Sequence, residues 1–233
     1  MKILWEEIDF VLLDLDGTLL DKHFDDYFWE EHIPEQYAKL MQISIKDAKT
    51  EIYAAYKVQE GKLVWTDIDY WSNRFNMDIP ALKESVSHLV AVHEGVFPFL
   101  EFLQCAGKRV AVLTNAHAKA VEIKLTKIPL RPYLQKIVSA NEVGFPKEVC
   151  GYWEAAEKIV GFKKERSLFV DDNEEVLMMA KLFGIKHLVY KSYASSQIDR
   201  RDSNRFVSIR HFSEIVPPIQ SRNEDVPRSL IKI

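Results

Sequence analysis

The chain has 233 residues, 47% of them hydrophobic, and a formal net charge of −4. That length allows one large domain or a core with a smaller insertion, and the apolar content excludes wholesale disorder. The weak acidity leaves no clustered basic face for nucleic acid or anionic lipid, and no run approaches the ~20 apolar residues of a membrane helix.

Met1 to Asp9 carries Glu6 and Glu7 and lacks the apolar stretch of a signal peptide. A soluble, cytoplasmic protein is expected. Phe10-Val11-Leu12-Leu13 is a continuous apolar run and reads as a buried strand. From about 22 to 93 no convincing strand follows. Ser44-Ile45-Lys46-Asp47 resembles a capping box, with Ile45, Ala48, Ile52 and Ala55 behind it at helical spacing. Thr66 to Asp69 repeats the cap pattern ahead of Tyr70-Trp71. Asp78-Ile79-Pro80 opens a further helix, with Pro80 in the first turn, where a missing N–H costs least. These signals predict an all-helical insertion.

Beyond it, short apolar runs recur at Arg109–Leu113, Ile137-Val138, Leu168–Val170 and His187–Tyr190. Helical patterns lie between them. Val149, Trp153, Ala156 and Val160 share one face before Gly161; Val176, Leu177, Ala180 and Phe183 do so before Gly184. Strands alternating with helices predict an α/β protein with a parallel sheet covered on both sides. The division is a core of residues 1–21 and 94–233 and a helical insertion of residues 22–93. Cys105 and Cys150 have neither metal nor redox spacing and read as reduced thiols. The polar tail after Pro217 is expected to be loosely held.

The strand ends carry the chemistry. Asp14-Leu15-Asp16-Gly17-Thr18 directly follows the first strand, and ligands of open α/β sheets bind at such carboxyl ends. Asp-x-Asp-Gly alone is equally a solvated acidic turn. Thr114-Asn115 ends the second strand and offers a hydroxyl ahead of a helix, where an anion or a simple N-cap would suit. Lys147 offers a positive charge for a phosphate oxygen, although one lysine alone reads as surface. Asp171-Asp172-Asn173 ends the fourth apolar strand. Adjacent acids there are costly without a cation, and Asn173 would also cap a helix. Acid pair, hydroxyl, lysine and second acid pair in this order point to one site.

This set resembles the haloacid dehalogenase superfamily of phosphohydrolases over almost the whole chain. The resemblance implies a Rossmann-type parallel core with a helical C1 cap. It implies Asp14 as nucleophile and Asp16 as general acid/base, and Thr114, Asn115 and Lys147 as phosphate ligands. Mg²⁺ would be held by Asp14, by the Asp16 carbonyl, directly by Asp172, and by Asp171 directly or through water. Asp16 argues for phosphate monoester hydrolysis, because dehalogenases of the superfamily lack it; phosphosugar mutases share it.

Asp25–Trp29, Asp69–Trp71, Thr114–His117, Gly144–Glu148 and Phe169–Leu177 further resemble the bacterial GMP/IMP 5′-nucleotidases of that superfamily. The resemblance implies a purine nucleotide as substrate. Phe28, Trp29, Trp65 and Trp71 are candidate rings for stacking on a base, although any one of them reads more readily as an ordinary core aromatic. His117 reads either as a substrate contact or as a helix-start residue. A sugar-phosphate phosphatase or mutase, and a non-catalytic binding module, are the alternatives. The oligomeric state is open.

Overall fold

A computed structural model of the protein describes residues 3–217. The tail beyond Pro217 lies outside the described residues. Six parallel strands form one sheet in the order β3-β2-β1-β4-β5-β6. They are β1 (Phe10–Leu13), β2 (Arg109–Thr114), β3 (Lys136–Ser139), β4 (Ser167–Asp171), β5 (His187–Lys191) and β6 (Val207–Ile209). The five expected strands are present. The sixth was not foreseen, because three residues with one buried side chain carry no periodic signal.

Successive strand residues face opposite sides of the sheet. Val11 and Leu13 join one apolar cluster with Phe99 and Leu103 of α6 (Val96–Cys105) and Val121 of α7 (Ala118–Lys127). Phe10 and Leu12 join the other, with Trp153 of α9 (Cys150–Val160) and Leu177 of α10 (Glu174–Phe183). The short α8 (Ala140–Val143) precedes α9. Gly161 and Gly184 end α9 and α10 at positive φ, as their placement suggested. Val149 is exposed at the start of α9 instead of on its buried face. The helix begins one residue later, and Tyr152 fills the interior.

Between β1 and α6 no described residue belongs to a strand; the chain forms α1 (His23–Tyr27), a π-helical turn (Phe28–His32), α2 (Ile33–Met41), α3 (Ile45–Gln59), α4 (Ile68–Phe75) and α5 (Ile79–Ser85), with short 3-10 turns. Ser44 caps α3 by accepting the Asp47 N–H, and Asp78 caps α5 by accepting the Ala81 N–H. The cap of α4 is Asp67, one residue past the expected Thr66. Its carboxylate accepts from the Asp69 and Tyr70 N–H groups, while the Thr66 hydroxyl donates to the Leu63 carbonyl. Two strands of chain join the insertion to the sheet. They meet in an antiparallel bridge at Leu20 and Val92. The loop after β5 fastens this junction: Lys22 donates its N–H to the Ala194 carbonyl, and Ser196 donates to Asp21.

Candidate active site

The sheet order reverses at β1, which has β2 on one side and β4 on the other. Leu13 lies level with Val170. One residue on, Asp14 therefore stands beside Asp171 at the crevice such a reversal opens. The Asp14 N–H donates to the Val170 carbonyl at 3.0 Å, which holds the backbone in place. Gly17 then turns the chain at φ +92°, a region only glycine enters without strain. A Cβ on Gly17 would lie 2.4 Å from the Asp172 carboxylate. The turn and the acid fit together only without a side chain.

Lys147 binds the acids together. Its ammonium lies 2.5 Å from Asp14 and 2.7 Å from Asp171. Its backbone is fixed on both sides: the N–H donates to Asn115 Oδ1 at 2.8 Å, and the carbonyl accepts from the Trp153 indole at 2.8 Å. Asn115 in turn donates its amide to both oxygens of Glu148, at 3.0 and 3.1 Å. Thr114 is buried and its hydroxyl oxygen accepts from the Ala116 N–H at 3.0 Å. Asn173 caps α10. The helix after β2 is capped by His117 and not by Thr114 or Asn115.

Burial pushes the Asp14 carboxyl up to about 7, with Lys147 opposing and Asp171 adding to the rise. Burial and the Asp14 charge likewise push Asp172 up to about 7. Asp171 rises to about 6 for want of solvent, with Lys147 holding it down. Burial alone would lower the Lys147 ammonium, but Asp14 and Asp171 outweigh it and keep the lysine charged. One lysine thus faces three carboxylates. Oxygens of Asp14, Asp171 and Asp172 lie within 4.8 Å of one another. Hard oxygen donors packed with excess negative charge fit a hard divalent cation. Asp171 has both oxygens engaged, one by Lys147 and one by the Asn173 N–H. Asp172 is the acid with more freedom to ligate.

A cleft of about 760 Å³ opens above these groups. Asp14, Asp16, Thr114, Asn115, Lys147, Asp171 and Asp172 all line it. So do Trp29, Trp65 and Trp71, together with Tyr53 and Tyr56 of α3. Tyr56 and Tyr53 donate their hydroxyls to the carbonyls of Trp29 and Glu30 in the π-helical turn, which sets that wall. Phe28 is wholly buried and outside the lining. His117 is also outside it. Its Nδ1 accepts the Lys119 N–H and caps α7. Its Nε2 lies 3.8 Å from Asp67 and 3.9 Å from Asp69. With Nδ1 accepting, Nε2 is the ring nitrogen left to face these two acids. Lys119 clasps both Asp69 oxygens at 2.7 Å and ties α4 to α7.

The lining residues to which the sequence reading gave no role include Asp25, Lys83, Lys124 and Glu148. Asp25 and Glu148 lay within stretches that carried the family resemblance. Lys83 and Lys124 are single lysines on helices and gave no signal.

Three comparisons bear on this site. The sequence model of haloacid dehalogenase-like hydrolases matches residues 11–190. The chain is 34% identical over 219 residues to the GMP/IMP nucleotidase YrfG of Escherichia coli (strain K12), covering 94% of this chain and 99% of that protein; the Shigella flexneri protein of the same name gives the same figures. Among solved structures, an HAD phosphatase from Thermococcus onnurineus superposes with a TM-score of 0.76 at 20% identity, over 89% of this chain and 95% of the other. The UTR4 protein of Saccharomyces cerevisiae gives 0.58 at 15% identity, over 89% and 100%. The two structural likenesses establish the fold. The sequence match spans the ends of β1, β2 and β4, which carry the acids and the hydroxyl, and the loop before α9 that carries Lys147, and on that ground the chain belongs to the haloacid dehalogenase-like hydrolases.

Proposed function

We propose that the protein hydrolyses phosphate monoesters through a phosphorylated Asp14, and that its substrate is a purine nucleoside 5′-monophosphate. The observation that carries this is Asp14 itself: a buried carboxylate held by Lys147 at the floor of an aromatic-walled cleft. In the first step an Asp14 oxygen bonds to phosphorus as the ester P–O bond breaks. The carboxyl proton of Asp16 goes to the departing oxygen. In the second step water bonds to phosphorus, the Asp14–phosphorus bond breaks, and Asp16 takes the water's proton. Thr114, the Asn115 backbone and Lys147 hold the phosphoryl oxygens and offset their charge. Asp14, the Asp16 carbonyl and Asp172 would hold Mg²⁺, with Asp171 behind them. Bound there, the cation supplies charge neutralisation between the phosphate and the acids.

The nucleotide reading rests on the 34% identity to GMP/IMP nucleotidases and on the Trp29, Trp65 and Tyr56 rings of the cleft. A ring stacked on a base contributes ~1–3 kcal/mol. Residues 22–93 form the cap in this reading, over a core of residues 1–21 and 94–233. Two unpaired, exposed cysteines suit a reducing, cytoplasmic setting.

The test is phosphate release from a panel of nucleoside monophosphates, sugar phosphates and aryl phosphate with Mg²⁺. GMP and IMP should be the best substrates, and Asp14→Asn should lose several orders of magnitude in turnover while still folding. Return of an isomeric phosphate ester without free phosphate would mean a mutase. Normal turnover by Asp14→Asn would remove the mechanism.

A further inference from the structure

Asp16 is not free in the cleft. Its carboxylate lies 2.6 Å from the Lys124 ammonium of α7. That same ammonium lies 2.5 Å from Asp25 of α1, and the other Asp25 oxygen lies 2.5 Å from Lys83 of α5. Both lysine side chains are 1% exposed. The chain of charges therefore starts at the β1 turn, crosses α7 and ends on two helices of the insertion. Lys83 is also set against the rings of Phe24, Phe28 and Trp29, at 4.7, 4.3 and 5.4 Å from their centres. Both lysines are buried between acids and aromatic faces, which leaves each little choice of rotamer.

We propose that Lys124 is the positioning residue for Asp16: it fixes the Asp16 carboxylate on the leaving-group side of the cleft, and through Asp25 and Lys83 it makes that placement depend on where the insertion helices stand. A carboxylate two bonds from the backbone at a glycine turn has several rotamers. One buried ammonium shared with Asp25 selects among them. If α1 moves away from α7, Asp25 leaves with it and Lys124 loses its second anchor. Asp16 then loses the fixed partner that aims it. The proton donor is thereby aligned only while the insertion covers the site.

This inference rests on the phosphatase reading, and leaving-group chemistry separates the two. A nucleoside alkoxide needs a proton to depart, whereas nitrophenolate departs without one. Water attack on phosphorylated Asp14 needs Asp16 for either substrate. With Mg²⁺ present, Lys124→Met should therefore lose roughly 100-fold in kcat on a nucleoside monophosphate, the scale of general acid–base catalysis. On nitrophenyl phosphate it should give a nitrophenol burst stoichiometric with enzyme, then a slow steady rate, with phosphorylated protein visible by intact mass. Lys124→Arg, which keeps the charge between the two acids, should restore much of the nucleotide rate and shrink the burst. A helix-packing role alone would lower both substrates equally, with no burst and no rescue, and that result overturns the proposal. If Lys124→Met does not fold, Lys124→Gln, which keeps a hydrogen-bond donor near Asp25, is read in the same way. A wild-type protein inert on every ester would instead remove the phosphatase reading, and this one with it.

Discussion

Three carboxylates within 4.8 Å of one another are an unstable arrangement for a folded chain without a counter-ion. Burial first, and then the charge of a neighbouring carboxylate, raises the pKa values of Asp14, Asp171 and Asp172. Removing one charge should therefore relieve the metal-free protein. Asp172→Asn should melt higher than wild type without metal, and it should lose the response to Mg²⁺. Wild type should gain about 2.7 kcal/mol at Mg²⁺ concentrations a hundredfold above its dissociation constant. Equal Mg²⁺ responses from the two proteins in thermal melts would show that Asp172 holds no cation. Gly17 gives a second test at this scale. Gly17→Ala meets both the positive φ and the 2.4 Å approach to Asp172. The backbone penalty alone is about 1–3 kcal/mol. Displacement of Asp172 should add a weaker metal response, readable by titration.

The elements around the cleft divide the labour. The ends of β1 and β4 carry the acids and the loop before α9 carries the lysine; the π-helical turn, α3, α4 and the turn before α4 carry the rings. Trp29→Ala should slow purine nucleotides more than a small aryl phosphate, because only the nucleotide has a base to stack. Equal losses on both, in a variant of unchanged melting temperature, would remove Trp29 as a base platform. The junction element makes a different prediction. His93 is buried beside the Leu20–Val92 bridge, with its Nε2 3.2 Å from the Ala194 carbonyl. Burial first, and then Lys191, push the ring down to about 4, against the Asp21 carboxylate. An unfolded histidine titrates near 6.5, so the unfolded chain takes up the proton first as pH falls. The stability carried by neutral His93 is whole above about 6.5 and is lost down to about 4, by up to about 3 kcal/mol. His93→Gln should flatten that part of a denaturation-against-pH curve. An unchanged slope would mean the ring is already charged in the folded protein.

At the scale of the whole molecule, the sheet reversal fixes where the candidate site sits, and in the proposed reading the insertion is the cap over it. The two segments that join them, about 20–22 and 91–93, are pinned to each other and to the loop after β5. Beyond that junction, α4 is tied to α7 through Asp69 and Lys119, and α1 through Asp25 and Lys124. Closure of a lid would exclude water and complete the leaving-group side of the site. The prediction is a smaller radius of gyration by solution scattering when Mg²⁺ and a phosphate analogue are added together. Asp69→Ala should widen the ligand-free particle. No change in either measurement would leave the insertion a fixed wall and not a lid.

Much of this was legible in the sequence, because the signals are local. A run such as Phe10–Leu13 is apolar throughout since both faces of a parallel strand are covered, and an acid placed just after it can only emerge at the strand's carboxyl end. Ser44 and Asp78 announce helices because a cap bonds to N–H groups three residues away. What the sequence could not decide depends on partners distant along the chain. Phe28 and Trp29 are neighbours of the same type, yet the π-helical turn sends one into the core and the other into the cleft. Three residues make a strand at β6 only because β5 is there to pair with them. Lys83 and Lys124 are 58 and 99 residues from Asp25, and no spacing relates them. A lone lysine on a helix reads as solvated; only the packing of α1 and α5 on α7 removes the water and leaves two carboxylates as its surroundings.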